Sequence, residues 1–232
     1  MKTHDVKQGS GEWLSLRLGI VTASEMKALV TPKGAIRTGD GPQSYLFRKV
    51  AEHVLGYPIK DGGSWATEQG TLLEMEARPW YAFSRDCEVA TPGFCTTDDG
   101  RLGCSPDGLV GPDGGLEIKS FQPEHALQVL MENCVPEDNI VQVQTNIMVC
   151  GRQWWDFLSY SRQFPAVVIR VYPDEKIQKA IRDAHAAFLV KFDAAVAKVN
   201  ELRADQFAND PRRLAHEKEL AAWKADAENA GK

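Results

Sequence analysis

The stretch Cys104-Ser-Pro-Asp107-Gly-Leu-Val-Gly-Pro-Asp-Gly-Gly-Leu-Glu117-Ile118-Lys119 decides how this chain is read. Gly111-Pro112-Asp113-Gly114-Gly115 is a turn signal between two short apolar runs, so the segment predicts a β-hairpin. Glu117 and Lys119 lie two apart and share one side of a strand, with Ile118 turned to the core. A three-residue loop is expected to pair position 109 with 117 and 107 with 119, which puts Asp107 on the Glu117/Lys119 face. A slip of one residue would remove it.

Two acids and a lysine on one face suit phosphodiester hydrolysis. The reaction needs an activated water and relief of charge in a pentacovalent transition state. Mg²⁺ does both while held by one or two carboxylates plus water and phosphate oxygens. Asp107 and Glu117 are enough hard ligands to begin such a site, the carbonyl of Ile118 adds another, and Lys119 orients the water or offsets phosphate charge. The alternative is a surface hairpin with solvated charges, because a short motif recurs by accident.

Outward from the hairpin, the period changes. Helices are expected over 12–18 (closed by Gly19), from the capping-box spacing Thr22-Ala-Ser-Glu25 to about Val30, over 43–55, and near 67–84 with Glu68, Glu74 and Glu76. Loops are expected over 31–42 and from Lys60 to Ser64. Short strands follow at 87–90, 93–97, 101–105, 107–111 and 115–120. Then come helices at 123–133 and 136–150, strands at 153–161 and 166–172, and a long helix from Asp174 to Arg203. The order implies an α/β fold, a central mixed β-sheet flanked by helices. Residues 1–204 are expected to form the domain, and the Ala/Glu/Lys-rich segment 205–232 a helical extension.

Composition narrows the function classes. No apolar run spans a membrane, and the N-terminus lacks a signal-peptide core, so a cytoplasmic location is the expectation. The five cysteines form no CxxC pair, which argues against a zinc ribbon or disulfide framework. A net charge of −5 argues against a broadly basic nucleic-acid binder but leaves room for a confined basic channel. The loop 31–42, with Lys33 and Arg37, has the composition of a mobile element beside a DNA entrance.

Five motifs then stand in order: Arg17-Leu-Gly-Ile-Val-Thr-Ala-Ser24, Gly70-Thr-Leu-Leu-Glu74-Met-Glu-Ala-Arg78, Cys104-Ser105-Pro-Asp107-Gly, Leu116-Glu-Ile-Lys119 and Gln142-Val-Gln144. This set resembles the phage lambda exonuclease group, the YqaJ-type viral recombinases of the PD-(D/E)xK nuclease superfamily, over roughly residues 9–172. The resemblance implies a restriction-endonuclease-like core and a Mg²⁺-dependent exonuclease, with Mn²⁺ as a possible substitute. Such an enzyme degrades linear double-stranded DNA processively from the 5′ end. The 3′ single-stranded tails it leaves receive a single-strand annealing protein for phage-type recombination in the bacterial cytoplasm. Relatives form a homotrimeric ring. By the same resemblance, Asp107 and Glu117 are the metal-binding carboxylates and Lys119 the catalytic lysine. Glu74 is a further acid completing the metal site, and Gln142 lies near the active centre. Arg17, Ser24 and Ser105 resemble a receptor for the 5′-phosphate, for which a guanidinium fork and hydroxyls are suited. A restriction- or repair-type endonuclease and a non-catalytic DNA-end binder are the competing readings.

Overall fold

Gly111, Pro112 and Asp113 form the hairpin loop, with Val110 facing Gly114, Leu109 facing Gly115 and Gly108 facing Leu116. The register differs by two residues from the expected 109–117 pairing. Because side chains alternate with period two, an even shift leaves every residue on its expected face. Asp107 lies just outside β6, and its carboxylate reaches β7 by accepting the Ile118 N–H at 2.6 Å.

The computed structural model describes residues 1–59, 65–207 and 211–230; the helical stretches 65–71, 205–207, 211–214 and 226–230 are described by their backbone. The expected loop at 60–64 lies outside the described residues, as does the Glu68 side chain, and the segment 205–232 is described in part. The order is β1 (Lys2–His4), α1 (Gly11–Leu16), β2 (Val21–Thr22), α2 (Asp40–Leu55), α3 (Trp65–Arg85), β3 (Val89–Ala90), β4 (Phe94–Thr96), β5 (Leu102–Cys104), β6 (Gly108–Val110) and β7 (Gly114–Lys119). There follow α4 (Pro123–Glu132), α5 (Glu137–Cys150), β8 (Trp154–Ser159), β9 (Val167–Val171), α6 (Glu175–Phe207) and α7 (Pro211–Ala230).

Among the described residues the strands make two mixed sheets, ordered β1-β4-β5-β2 and β3-β6-β7-β8-β9, where one sheet was expected. β7 runs parallel to β8, and β2 parallel to β5. The chain passes from one sheet to the other between β5 and β6, at Ser105-Pro106-Asp107, so the residues of the central motif stand at the junction.

The hairpin strand β7 is covered on both faces. Leu116 and Ile118 meet Ala77 and Tyr81 of α3, along with Val110 and Leu158. On the other face α5 and α6 build the larger core with Trp155 and Phe157. Gly114 and Gly115 are required here: a Cβ on either would lie 2.2 Å from the Trp154 or Trp155 ring. α6 presents Ile177, Ala180, Ile181, Ala184, Phe188 and Phe192, a three-to-four spacing that makes one buried stripe. α5 ends at Gly151, whose φ of 61° is the left-handed cap that glycine supplies without strain.

Residues 22–30 depart from the expected helix. Thr22 pairs with Gly103 in the sheet, and its hydroxyl donates to the Glu25 carboxylate at 3.0 Å rather than capping a helix. Glu25 is drawn to Arg48 and Lys49, and only a 3-10 turn, Met26–Ala28, forms. The loop 31–42 holds more internal structure than its composition suggests. Thr31 donates its N–H to Ala35 O at 2.8 Å, Val30 bridges Ile36, and α2 begins at Asp40. The cysteines are free thiols; Cys95, Cys104 and Cys150 are buried in the core. Among the described residues no helix is long and apolar enough to cross a membrane.

Candidate active site

Glu117 is the buried centre of the site, 2% exposed. A carboxylate so far from water needs donors on both oxygens. Oε1 accepts from Lys119 Nζ at 2.6 Å and from Gln142 Nε2 at 2.5 Å. Oε2 accepts from Asn146 Nδ2 at 2.8 Å. Gln142 and Asn146 are four apart on α5, hence one turn apart on the same helical face. Gln144 points elsewhere, as its two-residue offset requires, and binds Tyr172 O, Asp174 N and Gln178.

Asp107 is tied to the same strand: its Oδ2 accepts the Ile118 N–H at 2.6 Å. From α3, Arg78 pairs with Glu74 and sends Nε to Asp107 O at 2.8 Å. One guanidinium therefore joins the helical acid to the hairpin. Glu76, the neighbouring alternative to Glu74, is instead an exposed partner of Arg162.

The electrostatics follow from crowding. Burial pushes the Asp107 carboxyl well above its usual range, and repulsion from Glu117 and Glu74 adds to this. Glu74 is also raised, by burial first and by Glu117, against the pull of Arg78. Burial disfavours the Lys119 ammonium, yet Glu117, Asp107 and Glu74 together outweigh it and hold the proton more tightly than usual.

The donor set suits a hard divalent cation. Asp107 is bonded to the strand that carries Glu117, Glu74 is near enough to repel both, and the contacts described involve no sulfur or imidazole. Among the described residues no three His, Cys, Asp or Glu side chains form a ready-made cage. That fits an ion held by one or two carboxylates and completed by water and phosphate.

The three expected phosphate residues are only partly brought together. Ser105 Oγ accepts from Arg17 Nη1 at 3.3 Å and from Trp13 Nε1 at 2.9 Å, and the Arg17 guanidinium lies 4.1 Å over the Trp13 ring. Arg17 lines a cleft of about 310 Å³ with Trp13, Arg48 and Lys49. Ser24 is exposed and opens on an adjoining cleft of about 470 Å³ with Lys27, Arg37 and Arg48; its hydroxyl lies 3.5 Å from that of Thr22. The two clefts share Glu25 and Arg48 as wall residues. His125 is exposed, and Trp155 is fully buried, as core packing predicts.

Sequence reasoning missed three elements: Asn146, the bridging role of Arg78, and the Glu25–Arg48–Lys49 network. Asn146 had a signal, since Gln142-x-x-x-Asn146 places both amides on one helix face. A buried Asp156 gripped by Tyr81 at 2.7 Å and by Arg170 at 2.8 Å also went unread; it anchors α3 to the sheet.

A family model for the YqaJ-like viral recombinase domain matches residues 12–153, and the chain belongs to that family. Two solved structures of the alkaline exonuclease LHK-Exo from Laribacter hongkongensis, one of them in complex with dAMP, are similar to it. Each has 28% identity and a TM-score of 0.76, covering 84% of this chain and 98% of that one. A phage-related exonuclease from Haemophilus somnus 129PT shares the fold, with 15% identity, a TM-score of 0.56 and coverage of 78% and 96%. The fold is the restriction-endonuclease-like α/β type expected from the sequence. No curated protein matches the chain.

Proposed function

We propose that this chain is a divalent-metal-dependent exonuclease that degrades the 5′-ended strand of linear double-stranded DNA. The observation that carries the reading is the Glu117 carboxylate, buried and held by Lys119, Gln142 and Asn146 beside an Asp107 bonded to the same strand. Family membership and the likeness to an alkaline exonuclease support it. Processive action, a homotrimeric ring, 3′ tails for a single-strand annealing protein and a place in the bacterial cytoplasm complete the proposal.

Asp107 and Glu117 would hold Mg²⁺ or Mn²⁺, with the Ile118 carbonyl and Glu74 on its margin. Once bound, the ion supplies Lewis acidity toward a phosphoryl oxygen and activates water. Lys119, held on Glu117 at 2.6 Å, offsets charge as it builds on the scissile phosphate. Gln142 keeps Glu117 in place. Arg17, with its Nη1 on Ser105, offers a guanidinium to the terminal phosphate, and Ser24 contacts the strand in the next cleft.

Digestion of three duplexes tests the reading: linear with 5′-phosphate, linear with 5′-hydroxyl, and closed circular. The expected result is fast release of mononucleotides from the first, slower release from the second and none from the third. Cutting of the closed circle would make the enzyme an endonuclease. Binding of ends without cleavage in Mg²⁺ or Mn²⁺ would make it a non-catalytic end binder.

A further inference from the structure

We propose that Asn146 is the positioning residue that holds Oε2 of the Glu117 carboxylate and thereby decides which lone pair of that oxygen is left for the cation. The inference rests on the metal-dependent reading above and adds a residue to it.

An ionised carboxylate has about four acceptor positions. On Glu117 three are filled: Lys119 and Gln142 occupy Oε1, and Asn146 occupies Oε2. The remaining position lies on Oε2, and Asn146 decides which one it is. The last torsion of a glutamate is broad and soft, so nothing in the side chain itself selects a plane. Lys119 and Gln142 fix Oε1, and with it the plane; the direction of the donor on Oε2 then decides which of that oxygen's two lone pairs stays open.

The three donors are not equally stiff. Lys119 is 30% exposed on a long stem. Gln142 is half-buried with three torsions. Asn146 has two torsions, is 1% exposed, and sits between Thr145 and Ile147, which are 0% and 2% exposed. Orienting Glu117 through Asn146 therefore costs the least side-chain entropy at the moment of ion binding. The amide is also oriented by its neighbour: a carboxylate only accepts, so the NH₂ end must face it.

The test measures Mn²⁺ binding to the DNA-free protein by the electron paramagnetic resonance of free Mn²⁺. Steady-state cleavage of a 5′-phosphorylated linear duplex is followed in parallel. Asn146→Leu keeps the branching and the number of side-chain heavy atoms and removes the donor. Asn146→Ala is the better-folding companion. Gln144→Leu is the structural control, since Gln144 is a buried amide of the same helix that ties α5 to α6 without touching Glu117. Loss of an outer partner of a metal ligand typically costs about 10–100-fold in metal affinity. That loss is expected for Asn146→Leu, with kcat lowered and the duplex KM unchanged, and a smaller loss of the same kind for Asn146→Ala. Gln144→Leu should lower the melting temperature and leave Mn²⁺ affinity alone. A folded Asn146 variant that binds Mn²⁺ within about twofold of wild type would overturn the inference while the function stands. Wild type that fails to bind Mn²⁺ even with the duplex present, or Asp107→Asn that binds it equally well, would overturn the function and the inference with it.

Discussion

Two clusters of charge, each partly buried, are balanced differently in this molecule. Around Glu25, two acids meet two cations: Lys49 lies 2.8 Å from Glu25 and 3.0 Å from Glu52, and Arg48 lies 2.9 Å from Glu25. Burial alone would raise the Glu25 carboxyl, but Lys49, Thr22 and Arg48 outweigh it and hold Glu25 below its usual range. Around Glu117, three acids face Lys119 and Arg78, and Asp107 and Glu74 end up above theirs. The first cluster is complete as it stands and serves the fold. The second is short of positive charge, and a divalent cation would supply it. On the proposed function, the direction in which the acids shift separates a structural network from a catalytic one.

Substitutions that break this contrast come in order of size. Asp107→Asn should abolish cleavage in Mg²⁺ and Mn²⁺ while DNA-end binding persists, as followed by gel shift beside the digestion assay. The same variant should raise the melting temperature of the metal-free protein, because it removes a buried carboxylate repelled by its neighbours; each kcal/mol of relief is about 2–4 °C in a protein of this size. Glu25→Gln should do the reverse. It strips a partner from a buried lysine, with a cost of about 3 kcal/mol by chemical denaturation, the low end for a broken buried pair because Glu52 stays in contact. Intact stability in Glu25→Gln would remove the claim that this cluster is structural.

Lys119→Ala should lower kcat by about 10²–10³-fold and leave duplex affinity near wild type, since its interaction strengthens as charge develops on phosphate. A loss confined to binding would contradict that role. The smallest effect concerns pH. Folded Asp107 and Glu74 hold their protons above the unfolded carboxylate pKa of about 4. Their contribution to metal-free stability is therefore full below that value and is lost as pH rises through the raised folded pKa. The gain in melting temperature on adding Mg²⁺ should grow over the same rise, because ion and proton compete for the carboxylates. A Mg²⁺ effect that is flat with pH would break the link between crowding and ion binding.

Local spacing made the catalytic hairpin readable. Gly-Pro-Asp-Gly-Gly marks the turn, alternation puts Glu117 and Lys119 together, and Asp107 bonds to the same strand despite the two-residue difference in register. Gln142 followed from its motif. The Glu25 network did not follow, because its partners are more than twenty residues away on α2 and have no period to betray them. Glu25 looked like a capping residue, and the local pattern that suggested a helix yielded to a sheet pairing and two cations. Arg78 was visible in its motif, but its bridge to the Asp107 carbonyl exists only once α3 packs on the sheet. Ser24 and Arg17 are close in sequence, yet the turn between them sends each into its own cleft.

On the proposed function, the junction Ser105-Pro106-Asp107 would act as a gauge. Two residues extend no more than about 7 Å, and Pro106 fixes one of the torsions between them while its carbonyl accepts Gln8 Nε2 at 3.1 Å. On the proposed function, the residue that meets the strand terminus and the residue that meets the cation share one short, stiff piece of backbone. The length of DNA removed per turnover is then written in peptide units, and adding a single residue there would shift that length and turn Asp107 to the opposite side.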